Sequence, residues 1–351
     1  MWPRKSNKNF ACAQLLSNAG NPCGLNIFEN SLDCARFATV KSMKDIGELE
    51  AIRQLTRQLP HRSDVRIGAG DDCAVVRAGP NCVREILLKS DPVIEGTHFR
   101  HGTRPELIGH KAIGRVLSDI AAMGGEPRWV LFNIVAPPKT PFQLIRRLYS
   151  GAGRLARRHK VAIVGGDLSS GKCLEVHAFA AGIAPRGEAV LRSGARPGDI
   201  IYVTGSLGGS IRGRHLVFEP RVNEGLWLRK WASSMIDISD GLASDLTHIL
   251  EAGRVGALLD ARAIPVSAAA RAMKDRKSPL DHALQDGEDF ELLFTVPMSK
   301  AVQFEKAWKR KFKLACCGIG LITKGRPSIR IRLSCGCVET IGRKGYEHFH
   351  K

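Results

Sequence analysis

Apolar positions follow two alternating periods from Met43 onward. Recurrence at about 3.6 residues predicts helices over 45–59, 108–123, 141–159 and 267–273. Alternating or short continuous apolar runs predict strands over 65–67, 74–76, 86–91, 129–136, 161–167, 176–183, 200–203, 236–239, 257–260 and up to 296. Strands and helices interleave throughout, so a mixed fold of the α+β class is expected.

The organisation along the chain suggests two domains. Residues 1–42 show no clear periodicity and lack the continuous apolar core of a secretory signal. They are expected to be a disordered extension that reflects an artefact of start-codon choice, with a targeting segment as the alternative. Pro and Gly residues cluster between 185 and 198, which indicates a boundary there. The expected domains are therefore 43–184 and 188–351.

Acidic residues recur where predicted strands end. They are Asp71, Asp72, Asp91, Asp167, Asp237 and Asp240, and Asp119 adds one on a helix. Each of them is open to a simpler interpretation as a turn or capping residue. If they converge, their charges repel one another unless cations lie between them. Carboxylates without thiolate or paired histidine ligands favour Mg²⁺, and several such ions are typical of phosphoryl transfer.

The stretch from Ser234 to Leu246 concentrates this chemistry. Its acids sit where a strand ends and a helix begins, a position at which carboxylates are stable without any ligand. N-capping explains Asp240 as well as metal binding does, but it does not explain Asp237, and Asp245 is expected to be structural. Asp119 lies beside an apolar stripe and needs a partner, either a base such as Arg115 or a metal.

Composition excludes some classes of protein and leaves others open. The formal charge of +19 raises nucleic-acid binding as an alternative function, although the basic residues are scattered and only 6% of residues are aromatic. Nucleic acid is therefore not the expected partner. Apolar runs fall short of a membrane span. The ten cysteines do not form a disulfide framework and are expected to be reduced thiols in a cytoplasmic protein.

Eight ordered motifs carry a family resemblance. They include Gly-x-Gly-Asp-Asp, Lys-Ser-Asp-x-x-Ile-Glu-Gly-Thr-His-Phe, Leu-Ser-Asp-Ile-Ala-Ala-Met-Gly-Gly, Val-Gly-Gly-Asp, Ile-Asp-Ile-Ser-Asp-Gly-Leu and Gly-Glu-Asp-Phe-Glu-Leu-Leu-Phe. Together with Arg-Ser-Gly-Ala-Arg-Pro-Gly-Asp and the closing Gly-Tyr-Glu-His-Phe, they resemble thiamine-monophosphate kinase from about Met43 to Phe349. That family shares a superfamily with aminoimidazole ribonucleotide synthetase, selenophosphate synthetase and a hydrogenase maturation protein.

The resemblance implies a fold, a reaction and a set of site residues. The fold would be the two-domain synthetase-like one, with an N-terminal sheet that pairs across a homodimer and an active site between the domains. The reaction would be ATP-dependent phosphorylation of thiamine monophosphate to thiamine diphosphate by direct transfer. The implied Mg²⁺ ligands are Asp72, Ser90, Asp91, Asp119, Asp167, Asp237 and Asp240. Gly166, Arg192 and Ser239 would contact ATP, and His98, Glu288 and Tyr346 would line the thiamine monophosphate pocket.

Two departures from the family pattern stand out. Lys89 occupies a position where many members have Ser or Thr, and it either replaces the charge of one ion or points away from the site. The segment between Gly209 and Met235 looks short for the family, which leaves the local lid and specificity contacts open.

Overall fold

The computed structural model describes residues 42–57, 59–342 and 345–346, which form two seven-stranded sheets with flanking helices. Apart from Ser42, the proposed N-terminal extension lies outside these residues, as does most of the closing motif. No helix in the described part of the chain combines the length and the apolar character that a bilayer crossing requires.

The first half of the chain builds one sheet and its covering helices. Its elements are α1 (Met43–Ile46), α2 (Glu48–Thr56), β1 (Val65–Ile67), β2 (Ala74–Arg77), β3 (Arg84–Ile94), α3 (Pro105–Ala122), β4 (Glu126–Ala136), α4 (Phe142–Arg158), β5 (Ala162–Gly165), β6 (Leu168–Ser170) and β7 (Glu175–Pro185). The strand order is β1-β2-β3-β7-β4-β5, and β6 also pairs with β4. The long central strands β3, β7 and β4 are antiparallel, with Ser90 opposite Phe179 and Phe179 opposite Leu131.

The second half builds the other sheet. Its elements are β8 (Ile200–Thr204), α5 (Val222–Leu228), β9 (Ser234–Asp237), α6 (Leu242–Gly253), β10 (Gly256–Asp260), α7 (Ala268–Arg271), α8 (Pro279–Gln285), β11 (Leu292–Val296), α9 (Met298–Lys311), β12 (Cys316–Thr323), β13 (Ile329–Arg332) and β14 (Val338–Ile341). The strand order is β14-β13-β10-β12-β8-β11-β9. The edge strand β9 lies against α3, so the two halves meet beside that helix.

The predicted elements are largely confirmed, with one clear correction. The continuous helix expected over 45–59 is interrupted at Gly47, whose φ of 78° is not helical, and it ends at Thr56. Strand β5 and helix α7 are shorter than expected. Helices α5, α8 and α9 were not predicted, although α9 packs Phe304 and Trp308 against the second sheet.

The helix α3 is held in place by a close crossing with α4. The two backbones approach at Gly109 and Gly151, where side chains are excluded. A Cβ at position 151 would lie 1.9 Å from the carbonyl oxygen of Glu106, and one at position 109 would lie 2.1 Å from that of Leu148. The crossing therefore fixes the position of α3, which also packs on the apolar face of the first sheet.

We expect Gly151→Ala to destabilise the protein by about 2 kcal/mol or more, because the new methyl group must push the two helices apart. The matched control is Gly153→Ala in the same helix, where a Cβ meets only the Arg157 guanidinium at 3.4 Å. That variant should gain about 0.5 kcal/mol from helix propensity. Urea unfolding of both variants checks this, and equal effects would contradict it.

Candidate active site

Three buried carboxylates converge where the two halves of the chain meet. Asp72 lies in the turn before β2, Asp119 in the last turn of α3, and Asp237 at the end of β9. One carboxylate oxygen from each lies within 4.8 Å of the others. Opposite ligands of a bound Mg²⁺ are separated by about 4.2 Å, so the spacing is close to that of a shared cation.

The hydrogen bonds of this cluster leave capacity for a cation. The Ser118 hydroxyl donates to Asp237 Oδ2 at 2.6 Å, and the Arg192 guanidinium donates to Asp72 Oδ1 at 2.5 Å. The other oxygen of Asp72, Oδ2, is buried and has no hydrogen-bond partner among the described residues. A buried carboxylate oxygen without a partner is costly, and a hard cation would satisfy it.

Burial and neighbouring carboxylates raise the pKa values of two members of the cluster. Burial and the neighbouring Asp72 raise the pKa of Asp237 to about 7. Burial raises the pKa of Asp119 well above its ordinary value, and the nearby Asp91, Asp237 and Asp72 act in the same direction. Divalent ions would reverse both effects by favouring the charged carboxylates. The donor set of carboxylate oxygens therefore fits Mg²⁺.

Basic side chains enclose one side of the cluster. Lys89 Nζ lies 2.7 Å from Asp119 Oδ1 and 3.7 Å from Asp91 Oδ1, so Lys89 points into the site. Arg115 Nε lies 3.4 Å from Asp91 Oδ2. Burial raises the pKa of Asp91, but Lys89 and Arg115 outweigh it and bring the net pKa below the ordinary value. The partner that Asp119 required is thus Lys89 and not Arg115.

The loop that leads into α6 is organised by Asp245. Its Oδ2 accepts hydrogen bonds at 3.1 Å from the backbone N–H groups of Ser239, Asp240 and Gly241. This agrees with the structural role expected for Asp245. Asp240, Asp245 and His248 offer a second group of potential metal-ligating atoms, of which Asp240 faces a cavity.

A cavity of about 610 Å³ has Arg115, the partner of Asp91, in its lining. All three residues implied to bind the substrate line it, namely His98, Glu288 and Tyr346. Ser239, Asp240 and Arg115 line it as well. The structure thereby brings the predicted substrate residues together with two residues from the opening of α6.

Glu288 is positioned by an unusual turn. Gly287 and Glu288 both have positive φ, 70° and 53°, and the Glu288 N–H donates to the carbonyl oxygen of Ser239 at 2.7 Å. Its side chain lies 2.5 Å from Lys111 Nζ and 3.0 Å from His215 Nδ1. Burial alone would raise the pKa of Glu288. His215 and Lys111 outweigh burial and lower the pKa to about 2. The carboxylate is therefore fixed in place and charged at neutral pH.

Three predicted site residues lie apart from the carboxylate cluster. Ser90 is on the opposite, exposed face of β3 from Lys89 and Asp91, because side chains alternate along a strand. Asp167 is exposed and accepts a hydrogen bond from the Ser169 hydroxyl at 2.5 Å. Gly166 has a packing reason to be glycine, since a Cβ there would lie 2.1 Å from the carbonyl oxygen of Phe132. Their roles in metal or ATP binding stay predictions.

Sequence reasoning did not single out Lys111, His215 or Ser118. Lys111 is fully buried on α3, where it donates to the carbonyl oxygen of His98 at 2.7 Å. Burial lowers its pKa to about 8, although Glu288 opposes this. The sequence signal that could have identified Lys111 is its position one helical turn from Arg115 on an apolar stripe. His215 comes from the segment that looked short, and only the folded chain places it beside α3.

The chain is similar to several known proteins. Residues 70–184 match the family model for the AIR synthase related protein, N-terminal domain. The thiamine-monophosphate kinase of Rhodopirellula baltica is 36% identical over 312 residues, which cover 86% of this chain and 96% of that protein. The enzyme of that name from Escherichia coli K12 is 33% identical, with coverage of 86% and 98%.

A solved structure gives the same relationship in three dimensions. AaThiL complexed with AMPPCP and TMP superposes with a TM-score of 0.76 at 29% sequence identity. The superposition covers 89% of this chain and all of that one. The predicted synthetase-like fold is therefore confirmed.

We expect the stability contribution of Glu288 to disappear in acid. Its folded pKa of about 2 lies below the ordinary 4.5, so the contribution is complete above pH 4.5 and is lost as the pH falls towards 2. Glu288→Gln should be less stable at pH 7 by roughly 3 kcal/mol, because Lys111 loses its partner. Chemical unfolding at several pH values should show this difference narrowing between pH 4.5 and 2.

The control for that experiment is Glu339→Gln, which alters an exposed carboxylate on β14. Its stability should track the wild-type protein across the same pH range. A Glu288→Gln difference that stays constant from pH 7 to pH 2 would contradict the assigned ion pair.

Proposed function

Because the chain belongs to the thiamine-monophosphate kinase family of the AIR synthase-like superfamily, we propose that it phosphorylates thiamine monophosphate with ATP, by direct transfer beside a carboxylate-bound Mg²⁺ cluster. The observation that carries this proposal is the convergence of Asp72, Asp119 and Asp237 on one point where the two halves of the chain meet. The named ligands of AaThiL, an ATP analogue and TMP, support the same pair of substrates.

The reaction needs little covalent chemistry from the protein. An oxygen of the thiamine monophosphate phosphate forms a bond to the γ-phosphorus of ATP, and the bond from that phosphorus to the β–γ bridging oxygen breaks. ADP leaves with the electron pair, and thiamine diphosphate is the other product. A phosphate monoester is already anionic near neutral pH, so no general base is required. The protein acts by positioning the two phosphates and neutralising their charge.

The proposed metal ligands differ in their placement. Asp72, Asp119 and Asp237 form the converged group, Asp91 lies next to Lys89, and Asp240 lines the cavity. Ser90 and Asp167 complete the set that follows from the family pattern. Bound Mg²⁺ would supply charge neutralisation between the carboxylates and the phosphate oxygens.

Arg192 and Ser239 are the proposed ATP contacts, together with the backbone at Gly166. Arg192 is anchored by Asp72, and its guanidinium Nε is buried without a hydrogen-bond partner among the described residues. A free N–H of this kind suits a phosphate oxygen. Ser239 lies in the loop held by Asp245, at the border of the cavity.

The thiamine end of the substrate is proposed to bind between His98, Glu288 and Tyr346. Thiamine carries a cationic thiazolium ring and an aminopyrimidine. The charged Glu288 complements the cation, and the Tyr346 ring offers a face for stacking. His98 is fixed by the N–H of Ile94, which donates to its Nδ1 at 3.1 Å.

A homodimer in the cytoplasm completes the proposal. The face of the first sheet that points away from α3 exposes large apolar side chains, which are Trp129, Leu131, Val164, Leu168 and Phe179. Contiguous exposed apolar surface of this kind is typical of an interface. It supports the sequence-based expectation that this sheet pairs with a second copy.

Purified protein with ATP, Mg²⁺ and thiamine monophosphate should form thiamine diphosphate and ADP in equal amounts. Asp237→Asn should lower kcat about 100-fold or more, because it removes one charge from the cluster and keeps the hydrogen-bond acceptor for Ser118. Product analysis by chromatography measures both results.

The matched control is Asp260→Asn, which alters a carboxylate that pairs with Arg262 away from the cluster. It should leave kcat within about twofold, as expected for a surface ion pair. Turnover of a ribonucleotide substrate in place of thiamine monophosphate would assign the chain to another activity of the superfamily. Full activity of Asp237→Asn would remove that residue from the site.

Phe179→Glu should dissociate the proposed dimer. The new carboxylate, which lies opposite Leu131 on the neighbouring strand, would be buried against the second copy of the chain. Light scattering coupled to size exclusion should give the mass of two chains for the wild-type protein and of one for the variant. Val302→Glu, which changes an exposed apolar residue on α9, should stay dimeric. A wild-type mass of one chain would contradict the interface.

A further inference from the structure

Lys89 occupies an unusual place for a basic residue in a metal-binding cluster. Its ammonium nitrogen contacts Asp119 Oδ1 at 2.7 Å and approaches Asp91 Oδ1 at 3.7 Å. Within residues 42–57, 59–342 and 345–346, it is the only cation that forms an ion pair with Asp119. The ammonium group therefore lies between two carboxylates of the site and forms an ion pair with one of them.

The strand geometry makes this placement part of the fold. Lys89 and Asp91 are two residues apart on β3, so both side chains point to the face that meets α3. Asp119 reaches the same point from the end of α3. The ammonium group is thus bounded by carboxylates from two different elements.

A charged ammonium group has donors but no lone pair, so it cannot ligate a metal ion. A divalent ion bound to Asp119 Oδ1 would lie within a few ångströms of Nζ and would be repelled by it. A Ser or Thr side chain at this position would instead offer an oxygen ligand and no charge. The residue type at position 89 therefore decides which cation Asp91 and Asp119 can share.

We propose that the Lys89 ammonium group permanently takes the place of one divalent ion, so that this chain binds one ion fewer than a variant with a hydroxyl side chain there. The inference rests on the proposed carboxylate–Mg²⁺ cluster. Asp72 and Asp237 still offer carboxylate oxygens to the exchangeable ions. Asp72 Oδ2 has no hydrogen-bond partner in the described part of the chain, and Asp237 accepts a hydrogen bond from the neutral Ser118 hydroxyl.

Counting bound ions tests the proposal without relying on catalysis. The full-length protein is saturated with AMPPCP, and Mn²⁺ is titrated while free Mn²⁺ is followed by electron paramagnetic resonance. Lys89→Ser should bind one more Mn²⁺ per chain than the wild-type protein. Lys300→Ser, which changes an exposed lysine on α9, should bind the same number as the wild-type protein. Equal counts for the wild-type protein and Lys89→Ser would overturn the proposal.

A second variant covers the case in which Lys89→Ser does not fold. Lys89→Met removes the charge without adding a ligand, so Mn²⁺ should bind the remaining carboxylates about tenfold more tightly or better. The rise in Tm on adding Mn²⁺ should be correspondingly larger than in the wild-type protein. Unchanged or weaker Mn²⁺ binding by Lys89→Met would also overturn the proposal.

The outcome is separable from the proposed function. If the wild-type protein makes no thiamine diphosphate but Lys89→Ser gains an ion, the kinase proposal fails and the assignment of Lys89 stands. If the wild-type protein is an active kinase and the ion counts are equal, only the assignment of Lys89 fails.

Discussion

Electrostatic repulsion between buried carboxylates is the constraint on which the arrangement of this protein depends. Asp72, Asp119 and Asp237 come from three separate elements, and one oxygen of each lies within 4.8 Å of the others. Such a cluster is unfavourable by itself, as the raised pKa values of Asp119 and Asp237 indicate. The two halves of the chain must therefore be held together by other interactions. Apolar packing and ion pairs around the cluster provide them.

The helix α3 provides most of the contacts that hold the two halves of the chain together. Its first turns cross α4 at two glycines, and its apolar face covers the first sheet. Its last turns carry Ser118 to Asp237 of the second sheet, and Asp119 to Lys89 of the first. Between these points, Lys111 and Arg115 face Glu288. One rigid helix thus carries both Arg115, which lines the cavity, and Asp119 of the carboxylate cluster, so helix geometry fixes the spacing of these two residues.

The fold was predictable because its signals are local. The apolar periods of α3, β4, α4 and β7 are long and regular, and the structure has them within a few residues of their predicted bounds. The position of His215 depends on contacts with residues distant in sequence. Local hydrophobic periodicity carries no information about such contacts, and it did not reveal the break at Gly47 either. The direction of Lys89 was open for the same reason. Strand alternation shows that Lys89 and Asp91 share a face, but only the packing of α3 on that face places Asp119 beside them.

Fixed and exchangeable charges have different consequences for a site of this kind. Lys89, Arg115 and Arg192 balance part of the carboxylate charge whenever the chain is folded, whatever the Mg²⁺ concentration. They reduce the net negative charge where the two halves meet. They also leave Asp72 Oδ2 and Asp237 without a cationic partner of their own among the described ion pairs, and that deficit is what a metal would fill. Binding of metal together with the phosphates would then complete a charge balance that the protein has already begun.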